Sequence, residues 1–356
     1  MQEAVELNLT TLVVNKPVEQ GKRVFVAALF VCAITSAALA GLLPLQVSIV
    51  TVFLFAGPHN WFELRYFITR LPVRFGRSRA FFMTAFIGVA SLTVAYISLP
   101  FLYRTTGWSY EASLTAIALW NTLLLAWLTT LVFLRSKQKP RSDGTWVMPI
   151  AFALCAFNWL APDLFGLMLV YVHPLIALWF LDRHLQRNRP HWVRAYRRSL
   201  LLVPLSVGLL VWQLWSTDSL AEDNGLFWRI TQHSGAELLP QVSSHLLVSV
   251  HLFLEMLHYF VWLFALPLLG PFLIGRKARQ NLLARFWELD SLPIARHPRG
   301  FPKTVAAMLL VGLAVVLLLW VGFSIDYATT RDVYFTVAIA HVIAEAPFLM
   351  KMLQVQ

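Results

Sequence analysis

What most constrains this chain is an alternation between long apolar runs and short basic connectors. A helix that crosses a bilayer needs about 20 predominantly apolar residues. Runs of that order recur near 24–45, 46–68, 80–103, 112–134, 146–161, 163–182, 199–215, 242–274, 304–325 and 330–350. The fifth and the seventh are the shortest. Pro44 joins the first two with hardly a loop, and Ala-Pro-Asp at 161–163 makes another tight connection. Hydrocarbon offers no partners to backbone groups, so only helices and closed barrels cross it. The expected fold is therefore all-α: a polytopic membrane bundle of about ten helices. Composition agrees, with 58% hydrophobic and 13% charged residues, against roughly 25% charged in soluble domains.

Charge settles the expected orientation. Lys16, Lys22 and Arg23 precede the first run. Arg70, Arg74, Arg77 and Arg79 follow the second; Arg135, Lys137, Lys139 and Arg141 follow the fourth. Arg183, Arg187, Arg189, Arg194, Arg197 and Arg198 follow the sixth, and a basic segment at 275–303 follows the eighth. The intervening connectors are short or acidic, as in residues 216–225. Basic loops stay on the cytoplasmic side. Both termini are thus expected there, with 1–23 as a cytoplasmic tail and 24–356 as the transmembrane domain. No cleavable leader is expected, and a bacterial inner membrane is the expected location. The net charge of +11 is accounted for by topology, and no nucleic-acid motif accompanies it. The connector at 216–241 suits a lid or interfacial helix. The 275–303 segment, with Phe286 and Trp287, suits anionic lipid headgroups.

Cys32 and Cys155 both lie in apolar runs and suggest neither a disulfide framework nor a thiolate site. Histidine behaves differently. His59, His173, His251, His258 and His341 fall inside the second, sixth, eighth and tenth runs, all crossing in the same direction. Counted from the outer ends, His59, His173, His251 and His341 lie roughly 15–20 Å deep at 1.5 Å per residue, with His258 two turns deeper. Three carry the same spacing: His59 with Glu63, His251 with Glu255, His341 with Glu345. Four residues apart on a helix, imidazole and carboxylate share one face. Glu255 and His258 extend that stripe.

Such residues are expensive in a membrane and mark functional sites. Facing helices that supply Glu and His build carboxylate–histidine metal centres. This donor set, without thiolate, suits Fe(II), with Glu63, Glu255 and Glu345 orienting ligands, moving protons or ligating directly. Haem held by paired histidines is the alternative cofactor; a proton pathway, a transporter or an accessory subunit of a membrane complex are the alternative roles. Pro58 and Pro174 kink their helices or open room beside a site. Asn60 and Tyr259 are secondary candidates. His184, His191, His233, His245 and His297 read as surface residues.

At these histidine segments the chain resembles the Brp/Blh family of membrane β-carotene 15,15'-dioxygenases. Ala-Gly-Pro-His-Asn-Trp-Phe-Glu at 56–63 is similar to that family's early motif, and Ala-His-Val-Ile-Ala-Glu-Ala-Pro-Phe at 340–348 to its last. The resemblance aligns His173 with a further intramembrane histidine, and His251 and His258 with a closely spaced pair. Glu stands here where the family has Asp, and the pair is wider. What the resemblance implies is a non-haem iron centre held by four histidines, cleaving a carotenoid with O2 to retinal. The resulting expectation is an iron oxygenase acting on a lipid-soluble substrate, with O2 and membrane lipids as its other partners.

Overall fold

The computed structural model describes residues 2–72, 76–138, 143–269 and 302–352. Helix α1 (Gln2–Leu42) runs from the N-terminal tail through the first apolar stretch without a break. Pro44 then opens α2 (Pro44–Arg70), at a first-turn position where a missing N–H costs nothing. Helix α3 (Arg79–Thr106) stops at Gly107, whose φ of 64° is the left-handed conformation that ends helices. Ser109 caps α4 (Tyr110–Ser136) by accepting from the Ala112 N–H. Ala161 separates α5 (Val147–Leu160) from α6 (Pro162–Asn188), and a proline again occupies the first turn. Then come α7 (Val193–Ser199) and α8 (Leu202–Leu214). The lid-like connector forms α9 (Gly225–His233), capped by Asn224. Helix α10 (Ser244–Phe260) passes through a π-helical turn, Val261–Ala265, into α11 (Leu266–Leu269). The chain closes with α12 (Pro302–Ile325) and α13 (Tyr327–Met352). The described residues contain no strand.

Among the described residues, eight helical stretches are long and apolar enough to cross a membrane. Two of the expected spans are not among them, for different reasons. Helix α2 is long enough, but Pro58, His59, Glu63, Arg65 and Arg70 dilute its apolarity. Helix α5 has 14 residues, about 21 Å of rise. The seventh expected span, 199–215, is broken by a turn at Leu200–Leu201; the apolar stretch is instead Pro190–Leu214. Large apolar side chains cover the outside of the bundle, among them Phe152, Leu160, Trp212 and Ile325. Exposed apolar surface on that scale marks a lipid-facing protein. Most of the basic 275–303 segment, with Phe286, Trp287 and His297, lies outside the described residues, as do Arg74, Lys139 and Arg141.

Helix α10 is the centre of the bundle. Buried residues make up 78% of its apolar window, against 17% for the peripheral α12. It packs on α1, α2, α6 and α8, while α13 packs on α3, α4 and α12. Close approach of α3 to α4 depends on Gly88. A Cβ there would lie 1.8 Å from the Trp127 Nε1, the atom that donates to the Thr84 carbonyl at 2.9 Å. Near the C-terminal ends of α2, α6 and α13 an aromatic layer forms from Phe67, Phe180, Trp262 and Phe348, with Phe67 and Phe348 stacked at 4.3 Å. At the opposite ends α9 closes over α2, α10 and α13.

Candidate metal centre

Four helices meet where that aromatic layer ends, and each brings a histidine. His59 comes from α2, His173 from α6, His258 from α10 and His341 from α13. Ring centroids are 5.3 Å apart for His59–His258 and for His59–His341. They are 4.8 Å apart for His173–His258 and 5.0 Å for His173–His341. Glu63 and Glu345 lie one turn beyond His59 and His341 on the same helix faces and complete the cluster. Two donor sets result, and the donor atoms of each lie within 4.8 Å of one another. One is His59, Glu63, His258 and His341; the other is His173, His258 and Glu345. His258 belongs to both.

Local structure orients the rings. Pro58 carries no N–H for the carbonyl of Leu54 and crowds that turn of α2. One residue on, the Phe55 carbonyl accepts from His59 Nδ1 at 2.9 Å. Donation through Nδ1 leaves the Nε2 lone pair free. His173 Nδ1 stands 3.2 Å from Glu345 Oε2. A carboxylate behind one ring nitrogen is a common setting of a metal-binding imidazole. The π-helical turn follows His258 by three residues; such turns are frequent at functional sites.

The donors are unspent. Both carboxylate oxygens of Glu63 and both ring nitrogens of His258 are buried without a hydrogen-bond partner. His173 Nε2 and His341 Nε2 face each other at 3.1 Å. Two nitrogens bound at about 2.1 Å to one ion lie about 3.0 Å apart at right angles, and about 3.4 Å in a tetrahedron. Among the described residues no lysine or arginine forms an ion pair with Glu63 or Glu345. Two buried carboxylates ionise only beside a compensating charge, and one divalent cation would supply it. Four imidazoles, two carboxylates and no thiol therefore fit a first-row metal such as iron.

The depth reckoning from sequence placed His251 level with the other three and His258 two turns below. The structure reverses this. His258 and His341 each lie fourteen residues past the first residue of their helices, Ser244 and Tyr327. His59 lies fifteen past Pro44 and His173 eleven past Pro162, but His251 only seven past Ser244. The true helix ends shift the register, and no hydropathy window resolves them. His251 instead packs 5.2 Å from His233 and 5.7 Å from Tyr171, ring to ring. Glu255 lies outside both donor sets and accepts from Tyr259 at 2.6 Å.

Other residues also moved relative to expectation. His184 is buried, 3.3 Å from an Arg70 guanidinium nitrogen through its Nδ1. His233 packs on Phe335 at 4.3 Å. His245 Nε2 bonds the Gly41 carbonyl at 2.9 Å. His191 alone of these four is exposed. Tyr259, a secondary candidate by sequence, lies 4.7 Å from His59, ring to ring, and forms one wall of the cluster. Trp262, 6.4 Å from His258, forms its floor. Sequence reasoning missed Trp262, although it stands four residues after His258 on the same helix face. No protein-family model, characterised protein or solved structure matches this chain.

Proposed function

We propose that the chain is a membrane-embedded non-haem iron oxygenase for a lipid-soluble substrate, with a carotenoid the leading choice. The observation that carries this reading is the set of unpartnered, inward-facing donors, Glu63 and His258 foremost, ringed by three further histidines and Glu345. His59, His173, His258 and His341 would hold the metal. Bound iron would supply a redox centre able to activate dioxygen toward an alkene. Phe55 would hold the His59 tautomer through its carbonyl, and Glu345 that of His173. The aromatic layer of Phe67, Phe180, Trp262 and Phe348 would keep water out from one side. Glu63 would ligate or carry a proton. The motif resemblance to β-carotene dioxygenases supports the carotenoid, as does a depth at which a bilayer-spanning molecule presents its middle.

Haem fits the packing less well. A haem would need a flat apolar slot between its ligands, whereas four imidazoles and two carboxylates converge here. For topology we keep ten spans, counting α2 and α5, with both termini cytoplasmic as in a bacterial inner membrane. A reporter fused after Gln356 should read inside, and one inserted at Asp223 outside. The function is tested in two stages. Purified protein should carry iron and lack a Soret band, and β-carotene-producing cells should lose colour and accumulate retinal when they express it. Iron-loaded, folded protein that leaves β-carotene intact would remove the carotenoid and keep the centre. Protein devoid of any transition metal would remove both.

A further inference from the structure

A second constellation lies beyond the aromatic layer, at the C-terminal end of α6. Arg183, Gln186, Arg187 and Arg197 line a cavity of about 360 Å³ together with Val193 and Met352. An adjoining cavity of about 510 Å³ shares Pro190, Val193 and Arg197 with it and adds Arg194, Arg198 and Leu201. Five guanidinium groups thus bound two contiguous spaces. Asp182 is the one acidic residue between positions 182 and 201, and it is already saturated. Arg197 grips it with Nε at 2.9 Å and Nη2 at 3.1 Å, and Gln186 donates to it at 2.5 Å. Arg183 Nε is buried with no hydrogen-bond partner. Among the described residues, no carboxylate forms an ion pair with Arg183, Arg187, Arg194 or Arg198.

Topology alone explains basic residues at this end of the bundle; it does not explain a cavity built from them. The walls say what kind of anion fits. Beside the arginines run Pro190, Val193 and Leu201, and the surface continues into lipid-facing side chains. Leu201 is 63% exposed and Leu205, one turn further along the same face, 66%. A polar end for a phosphate joined to an apolar track for a chain describes an amphiphile. Guanidinium forks suit phosphate oxygens, and basic pockets between membrane helices take anionic headgroups.

We infer that the arginine-lined cavities between α6, α7 and α8 form a specific site for an anionic phospholipid. The phosphate sits among Arg183, Arg187 and Arg197, and an acyl chain runs past Val193 and Leu201 along α8. The test uses the full-length protein in neutral detergent, read by native mass spectrometry and thermal unfolding. Phosphatidylglycerol, phosphatidylcholine and inorganic phosphate are the three probes. The wild type should retain phosphatidylglycerol and melt several degrees higher with it, and should ignore phosphatidylcholine. Arg183→Gln/Arg187→Gln should lower retention at least tenfold. Arg23→Gln/Arg79→Gln, which removes equal charge from the same end of the bundle, should leave retention unchanged. If the first double variant does not fold, Arg187→Gln alone, at an exposed position, should still weaken retention. Equal retention by wild type and both pocket variants overturns the site. Equal stabilisation by inorganic phosphate overturns the lipid and assigns a soluble anion.

Discussion

Two buried polar clusters in this bundle invite comparison. Between α4 and α5, Asn121 donates to Asn158 at 2.8 Å, and Asn158 donates to the Ala118 carbonyl at 2.9 Å. Thr122 accepts from Trp159 at 3.0 Å and donates to Ala118 at 2.7 Å. That network closes on itself. The cluster among α2, α6, α10 and α13 does the reverse, leaving Glu63 and His258 unpartnered at equal burial. An unpaired buried polar group costs about 1–3 kcal/mol. A polar group that glues helices finds a partner, whereas one that remains open is free to take a ligand. That difference, more than polarity or burial, separates the two clusters.

The largest expected effect comes from removing the shared donor. His258→Ala should abolish most of the bound metal, because His258 belongs to both donor sets; elemental analysis of purified protein reads it. Retention of full metal content would place the two clusters in one class. Next, Glu63→Gln keeps the shape but removes the charge, and should weaken metal binding about 10–100-fold, measured by competition with a chelator. Third, Asn158→Ala should leave metal content untouched and lower thermal stability by an amount on the order of 1 kcal/mol; a loss of metal there would couple clusters that the comparison separates. Smallest of all, His251→Gln should change metal content hardly at all, since its ring lies with His233 and Tyr171. A loss as deep as that of His258→Ala would restore the sequence-based register and undo the assignment of depth.

Much of this was legible in the chain. Over the described residues each apolar run proved mainly helical, because a 20-residue apolar stretch has few other ways to satisfy its backbone. The breaks between them were equally readable at Pro44 and Pro162, where proline suits a first turn. The four-residue spacing of His59 with Glu63 and of His341 with Glu345 put both pairs on one face as expected. The same spacing at His251 and Glu255 was indistinguishable in sequence and landed elsewhere. A repeated motif reports which helix face is shared, and nothing about which turn meets a neighbour.

The sequence by itself determined the helices, the apolar exterior and the presence of imidazole and carboxylate four residues apart on shared helix faces. These follow from local rules: hydropathy over one span, and 3.6 residues per turn. Which histidine joins the cluster was decided by tertiary structure alone. Seven residues of α10 separate His251 from His258, about 10 Å of rise. The choice rests on where Ser243 caps the helix and how α10 seats against α2 and α6. The partner of each donor was settled in the same way. Glu255 faces a tyrosine on its own helix and closes a hydrogen bond, while Glu63 faces α10 and α13 and stays open. Long-range packing sets those neighbours, and no spacing along the chain encodes it.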